Sequence, residues 1–224
     1  MGCLYVVSTP IGNLEDITLR ALRVLAEVGL IAAEDTRITA RLLARHQIRA
    51  PMLSYRAPVE KRQLGRLLEA LSGGDVALVS DAGTPTLSDP GQRLVDAAWE
   101  DGHRVIPIPG PSAITALLAA SGLPGTGFAF GGYLPRKPGE LRRFFAGLEE
   151  ALQSTVVFES PYRIRKSLAI LAEVLPERQI VVGRELTKLY EQIIRGIAGE
   201  VLAELEEPPR GEFTVVIGPT QRIK

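Results

Sequence analysis

The chain has 224 residues, room for one large domain or two of ~100 residues each, with an ordinary soluble balance of 46% hydrophobic and 23% charged residues. Its 26 basic and 26 acidic residues cancel and divide evenly, 12 and 13 up to Gly122 and 14 and 13 after it, so neither half is a generic nucleic-acid coater. One cysteine excludes an intrachain disulfide, two histidines argue against a Cys/His zinc site, and no signal peptide or membrane-length apolar run is present; a cytoplasmic, metal-free protein is expected.

Leu4–Ser8 reads as the first strand, ending in the Pro/Gly turn Thr9–Asn13. Leu19, Leu22, Leu25 and Val28 recur at helical spacing, and Gly29 ends that helix. Leu30–Ala33 is a second strand, and Thr36 a cap for the following helix. On it Arg37, Arg41 and Arg45 share one face, with Arg49 beyond its end; a solvated face and an RNA-facing stripe both fit. Met52–Tyr55 is a short strand and Glu60–Leu71 an amphipathic helix closed by Gly73-Gly74. Val76–Val79 is a buried strand that breaks into Asp81-Ala82-Gly83-Thr84-Pro85, and Asp89-Pro90 suits a helix start, Asp89 capping and Pro90 first in the helix. A helix around Leu94, Ala97 and Ala98 precedes an edge-like strand, Arg104–Pro109, and Ser112 caps the apolar helix Ile114–Ala120. Five strands alternating with helices predict a parallel sheet.

Gly122–Gly127 is the linker, giving an N-terminal α/β domain, residues 1–122, and a C-terminal α/β domain, 123–224. In the second domain Phe128–Leu134 is a strand, Pro135–Gly139 a basic loop, and a helix carrying Arg142 and Arg143 runs to about Leu152. Thr155–Ser160 is a strand, Tyr162–Leu175 a helix, and Gln179–Leu186 and Glu191–Arg195 adjacent strands. A helix, Val201–Glu207, and the strand Gly211–Ile217 follow, so this sheet is expected to be mixed.

There is no Gly-x-Gly-x-x-Gly after a strand, no P-loop and no Gly-x-Ser-x-Gly elbow, which removes the common dinucleotide, nucleotide-triphosphate and hydrolase signatures. Instead, the turns Thr9–Asn13, Asp81–Pro85 and Pro109–Ala113 each follow a strand and mix Pro or Gly with small polar residues. In a parallel sheet they gather at the carboxyl edge, the usual ligand crevice. Asp81 can accept from a ligand hydroxyl or ammonium group, or cap its own turn.

Eight motifs occur in order: Pro10-Ile-Gly-Asn-Leu-Glu-Asp-Ile-Thr18, Glu34-Asp-Thr-Arg37, Ser80-Asp-Ala-Gly-Thr-Pro85, Ser88-Asp-Pro-Gly91, Pro109-Gly-Pro-Ser-Ala113, Phe158-Glu-Ser-Pro161, Arg184-Glu-Leu-Thr-Lys188 and Gly211-Glu-Phe-Thr214. Together they resemble the ribosomal small-subunit RNA (cytidine) 2′-O-methyltransferases of the tetrapyrrole (corrin/porphyrin) methylase superfamily, over Leu4 to about Gly218. The resemblance implies a tetrapyrrole-methylase-like fold of two α/β domains, a homodimer, and S-adenosylmethionine in the cleft between domains. It places Pro10, Asp81, Ala82, Gly83, Thr84, Pro85, Ser112 and Ala113 at the cofactor, with Phe158, Glu159 and Glu212 closing the site. The implied reaction is in-line transfer of the sulfonium methyl to a ribose 2′-oxygen of ribosomal RNA in the small subunit. The hydroxyl must lose its proton, and Glu185, Lys188 and Glu159 are the candidates for that work. A lysine needs a depressed pKa to act as base; charged, it would steady the alkoxide instead.

For RNA, Arg37, Arg41, Arg136, Lys137, Arg142, Arg143 and Arg163 are candidates for phosphates, and Tyr133 or Tyr162 for stacking a base. The chain departs from the family at Tyr55-Arg56-Ala57-Pro58-Val59, where Tyr-His-x-His-Asn is common, and at Tyr162, where His is common. Two other functions compete: a tetrapyrrole C-methyltransferase, against which Ala82-Gly83-Thr84-Pro85 argues, and a non-catalytic RNA- or ribosome-binding module, which has no need of the cofactor motifs.

Overall fold

The computed structural model describes residues 2–123 and 127–220, so residues 124–126 of the expected linker lie outside the described residues. The chain divides into two compact units, Met1–Ser112 and Ala113–Lys224.

In the first unit, β1 (Cys3–Val7), α1 (Leu19–Glu27), β2 (Leu30–Ala33), α2 (Thr36–Arg45) and β3 (Met52–Ser54) are followed by α3 (Glu60–Gly73), β4 (Val76–Val79), α4 (Gln92–Glu100) and β5 (Arg104–Ile108). The strands pair in parallel in the order β3-β2-β4-β1-β5, as the alternation predicts. Proline-bearing β5 lies at an edge, where a missing amide donor costs no ladder bond. β4 is buried along all four residues, which explains its unbroken apolar run. One face packs on α1 and α2 through Val24, Leu25, Leu42 and Leu43; the other packs on α3 and α4 through Leu67, Leu71, Leu94 and Ala98. From β1 the chain crosses the sheet one way and from β4 the other, so the switch point lies between these neighbours.

Two expected helix starts move. The cap of α2 is Asp35, whose side chain accepts from Arg37 N at 2.9 Å, rather than Thr36. α4 begins at Gln92 with Gly91 as its cap, rather than at Asp89-Pro90. The Gly91 amide there donates to Glu60 Oε1 at 2.8 Å, while the Asp89 carboxyl bonds to Ser80 and is not a cap.

The second unit holds α5 (Ala113–Ser121), β6 (Phe128–Tyr133), α6 (Pro138–Ala146), β7 (Ser154–Glu159), α7 (Ile164–Val174), β8 (Gln179–Arg184), β9 (Gln192–Ile197), α8 (Ala198–Glu204) and β10 (Phe213–Ile217). Its sheet runs β6-β7-β10-β8-β9, with only the first pair parallel, a mixed sheet. Helices α6, α7 and α8 cover one face through Leu141, Phe145, Leu168, Leu171 and Val201. α6 ends at Ala146, short of the expected Leu152, with Gly147 as its cap. α5 packs against β10, β8 and β7, so it belongs to this unit, although the boundary expected at 122/123 leaves it with the first. A Cβ on Gly183 of β8 would stand 2.9 Å from Leu117 Cδ1; the bare glycine lets the helix seat this closely.

Phe145 is 1% exposed at the centre of the second core. Phe145→Ala is expected to cost about 3–5 kcal/mol, read as a lowered denaturant midpoint of the second unit.

Candidate functional site

At the carboxyl edge of the first sheet, the loops after β1 and β4 are tied directly together. Thr9 N donates to Gly83 O at 2.9 Å and Gly83 N to Thr9 O at 3.0 Å, an isolated antiparallel bridge. Thr9 Oγ1 donates to Ser80 O at 3.1 Å, and the hydroxyls of Ser8 and Thr84 meet at 3.0 Å. Gly83 has φ 76, the left-handed region that an L side chain resists, so this turn calls for glycine. The structure thus brings Pro10, Asp81, Ala82, Gly83, Thr84 and Pro85 to one edge. Ser112 and Ala113 follow β5, and Ala113 opens α5.

The β2 loop joins the same edge through carboxylates. Asp81 Oδ1 accepts from Asp35 N at 2.9 Å, and Glu34 Oε2 accepts from Asp81 N at 3.2 Å. Asp81 therefore reaches across to the neighbouring loop and does not cap its own turn. Burial pushes Glu34 and Asp81 above the usual carboxylate range, and the neighbouring acids push them further. Asp89 rises to about 6, first through burial and then through the charges of Glu34 and Asp81. Asp35 is the exception: the Arg37 guanidinium bonded to it holds it well below that range. Glu34 and Asp89 stand in two of the quoted motifs but outside the expected site; their position at adjacent strand ends was the available signal.

In the second unit, the loop after β8 meets the segment before β10. Glu185 N donates to Glu212 O, and Glu212 N to Glu185 Oε1, each at 3.0 Å. Lys188 Nζ is clamped at 2.8 Å from both Glu185 Oε1 and Glu212 Oε2. A Cβ on Gly211, φ 88, would stand 2.4 Å from Glu185 Cγ, so the clamp forms only beside glycine. Glu185 and Thr187 themselves have φ 49 and 67, unusual for residues with side chains. Burial raises the Glu185 pKa, but hydrogen bonds from Lys188 and Glu212 N outweigh it and leave it lowered. For Lys188 burial acts downward, and its two carboxylate partners more than reverse it. A lysine raised in this way stays an ammonium and is not a general base.

Glu159, expected at the cofactor and as a candidate base, lies inside the second unit with its bonds made there. Its side chain is fully buried, and it accepts from Ser160 N and Ser167 Oγ, both at 2.7 Å, and pairs with Arg163 at 3.0 Å. Arg163 Nη2 also donates to Leu134 O and Pro135 O at 2.8 Å, so this guanidinium anchors the loop ahead of α6 instead of facing a phosphate. Phe158, the preceding residue, packs edge-to-face on Phe130 and Tyr133, with centroids 5.0 and 5.7 Å apart.

The remaining RNA candidates are exposed, Tyr162 at 95%. Arg37 is paired with Asp35, Lys137 with Glu140 at 3.2 Å, and Arg142 with Glu173. Among the described residues no group of three or more His, Cys, Asp or Glu is arranged to hold a metal ion, and no helix is long and apolar enough to cross a membrane.

Residues 3–202 match the family model of the tetrapyrrole (corrin/porphyrin) methylases. The chain is 45% identical over 219 residues to the ribosomal RNA small subunit methyltransferase I of Thermotoga maritima, covering 97% of this chain and 98% of that protein. It is 43% identical to the protein of the same name from Bacillus subtilis, of which it covers 75%. Among solved structures it resembles a uroporphyrin-III C-methyltransferase from Thermus thermophilus complexed with S-adenosylhomocysteine, with TM-score 0.61, 22% identity and 97% of each chain covered. It also resembles a cobalt precorrin-4 methyltransferase, with TM-score 0.69, 16% identity, and 96% of this chain and 94% of that one covered. These likenesses carry the fold.

The raised Asp89 pKa makes stability depend on pH. From its ordinary 3.8 to about 6 the folded chain holds this proton more tightly than the unfolded chain, so the cost of burying the charge is absent below about pH 4 and complete above about pH 6. Asp89→Asn is expected to match the wild type in thermal midpoint at pH 4 and exceed it at pH 7, read by scanning calorimetry at both pH values.

Proposed function

The chain belongs to the tetrapyrrole (corrin/porphyrin) methylases, and from that premise we propose that it transfers the methyl group of S-adenosylmethionine to the ribose 2′-oxygen of a cytidine in small-subunit ribosomal RNA. The observation that carries this reading is the 45% identity to a ribosomal RNA small subunit methyltransferase across 98% of that protein's length. The assembled small subunit is the proposed substrate form and a cytoplasmic homodimer the acting species.

The chemistry of the first sheet's edge suits the donor. S-adenosylmethionine carries a sulfonium and an α-ammonium group, and Glu34, Asp81 and Asp89 crowd negative charge that a cation relieves. Pro10, the backbone of Ala82–Pro85, and Ser112 and Ala113 supply close-approach surface and amide donors. Phe158 and Glu212 are the second unit's proposed contacts.

The bound cofactor supplies an already activated methyl, so the protein must position the hydroxyl and manage its proton. We assign Lys188 to the developing alkoxide, as a fixed ammonium held by two carboxylates. Glu185 uses Oε1 for Lys188 and Glu212 N, which leaves Oε2 without a hydrogen bond among the described residues as the proton acceptor. Glu159, buried with all its bonds internal, has the structural task of holding Arg163.

Transfer of labelled methyl to naked ribosomal RNA, assembled small subunits and a porphyrinogen tests the reading, with alkali-resistant dinucleotides reporting the 2′-O position. Label is expected on the small subunit; label on the porphyrinogen alone overturns the RNA assignment. Lys188→Ala is expected to lower kcat about 10²-fold with little change in KM. Asp81→Ala is expected to weaken S-adenosylmethionine binding at least about tenfold by calorimetry, with the circular dichroism spectrum kept; unchanged affinity would place the donor elsewhere.

A further inference from the structure

Beside the Lys188 clamp the second unit carries a groove of about 490 Å³, lined by Arg184, Glu185, Tyr190, Glu206, Glu207 and Arg210. Its volume lies in the range of small-molecule sites. Of these residues only Glu185 has a part in the proposed chemistry, which makes one wall of the groove a wall of the reacting centre.

The charges on the walls are almost all spent. Arg184 Nη1 pairs with Glu206 at 2.6 Å and Arg184 Nε donates to Arg210 O at 2.8 Å. Glu185 pairs with Lys188 at 2.8 Å, and Glu207 with Arg165 at 3.5 Å. The guanidinium of Arg210 is exposed and has no partner among the described residues. Tyr190 presents a ring that is 73% exposed. Once internal pairs cancel, the groove offers one open aromatic face and one cation on a lining of mixed polar and apolar surface.

That combination fits a single unpaired nucleotide. The ring gives a stacking platform for a base, and one guanidinium matches one phosphate. An acidic peptide or an anionic lipid surface calls for several free cations, and a second copy of the chain calls for aliphatic surface; Pro208 is the lining's one non-aromatic apolar side chain. We propose that this groove seats a nucleotide of the RNA strand, its base stacked on Tyr190 and its phosphate against Arg210, so that the strand passes the Glu185–Lys188 pair. The inference rests on the RNA methyl-transfer reading and names where the strand lies.

The test uses the full-length protein and two readouts: fluorescence anisotropy with a short single-stranded RNA oligonucleotide, and methyl transfer to isolated small subunits. Tyr190→Ala is expected to weaken oligonucleotide binding about tenfold and raise KM for the subunit by a similar factor, with kcat within about twofold; Tyr190→Phe restores both. Arg210→Ala is expected to weaken binding several-fold and flatten the dependence of log Kd on log salt by about one. Calorimetric affinity for S-adenosylmethionine stays at the wild-type value in all three. Wild-type RNA affinity and KM in Tyr190→Ala would overturn the groove while leaving the methyl-transfer reading intact. A wild-type protein that binds the oligonucleotide through Tyr190 but methylates no RNA would support the groove and overturn the reading. Competition by free cytidine monophosphate as strong as that by the oligonucleotide, or a change of sedimentation mass in Tyr190→Ala, would replace the strand with a free nucleotide or a second copy, and either result refutes the proposal.

Discussion

Two backbone hydrogen bonds between Thr9 and Gly83 hold the first unit's edge in place. They join the loops of β1 and β4 where the chain leaves the sheet in opposite directions, and two such loops would otherwise diverge. With them closed, Asp81 lies within reach of the amide of Asp35, and a third loop is drawn in. The bridge needs a residue that accepts φ 76, so one glycine underwrites a contact among three segments far apart in sequence.

The two units handle charge in opposite ways. In the first, Glu34, Asp81 and Asp89 are gathered with Arg37 as the nearby cation, and burial lifts all three toward protonation. In the second, the acids are set beside basic partners: Glu159 has Arg163, Glu185 and Glu212 share Lys188, and Glu206 has Arg184. An anionic edge with little cationic cover suits a cationic small molecule, while a closely paired ionic lattice suits the rigid presentation of one ammonium. Removing Arg163 would leave the fully buried Glu159 carboxylate without its cation, which is far costlier than losing an exposed pair.

Much of the fold is legible in the chain because each strand announces its surroundings. Val76–Val79 is apolar throughout because both faces are covered, and adjacent strand signals without intervening helices foretell the antiparallel pairs of the second sheet. The errors share one cause. Thr36 and Asp89 have the right chemistry for caps, but capping depends on which side chain is free, and long-range bonds decide that. The inward turn of Arg163 was hidden for the same reason: its partners are a carboxylate four residues back and two carbonyls nearly thirty residues away. The place of α5 depended on how deeply Leu117 could sit over Gly183, a fact about shape that hydropathy does not hold. Within the site, motif blocks marked the loops but not which carboxylates would crowd one another.

The crowding around Asp89 reaches beyond stability. A carboxyl that titrates near pH 6 in company with Glu34 and Asp81 gives this edge a proton inventory that any arriving positive charge must draw down. Occupation by a cation and retention of those protons then compete, and each weakens the other by the same free energy. Mild acidification would act as a competitor for the site without resembling the ligand.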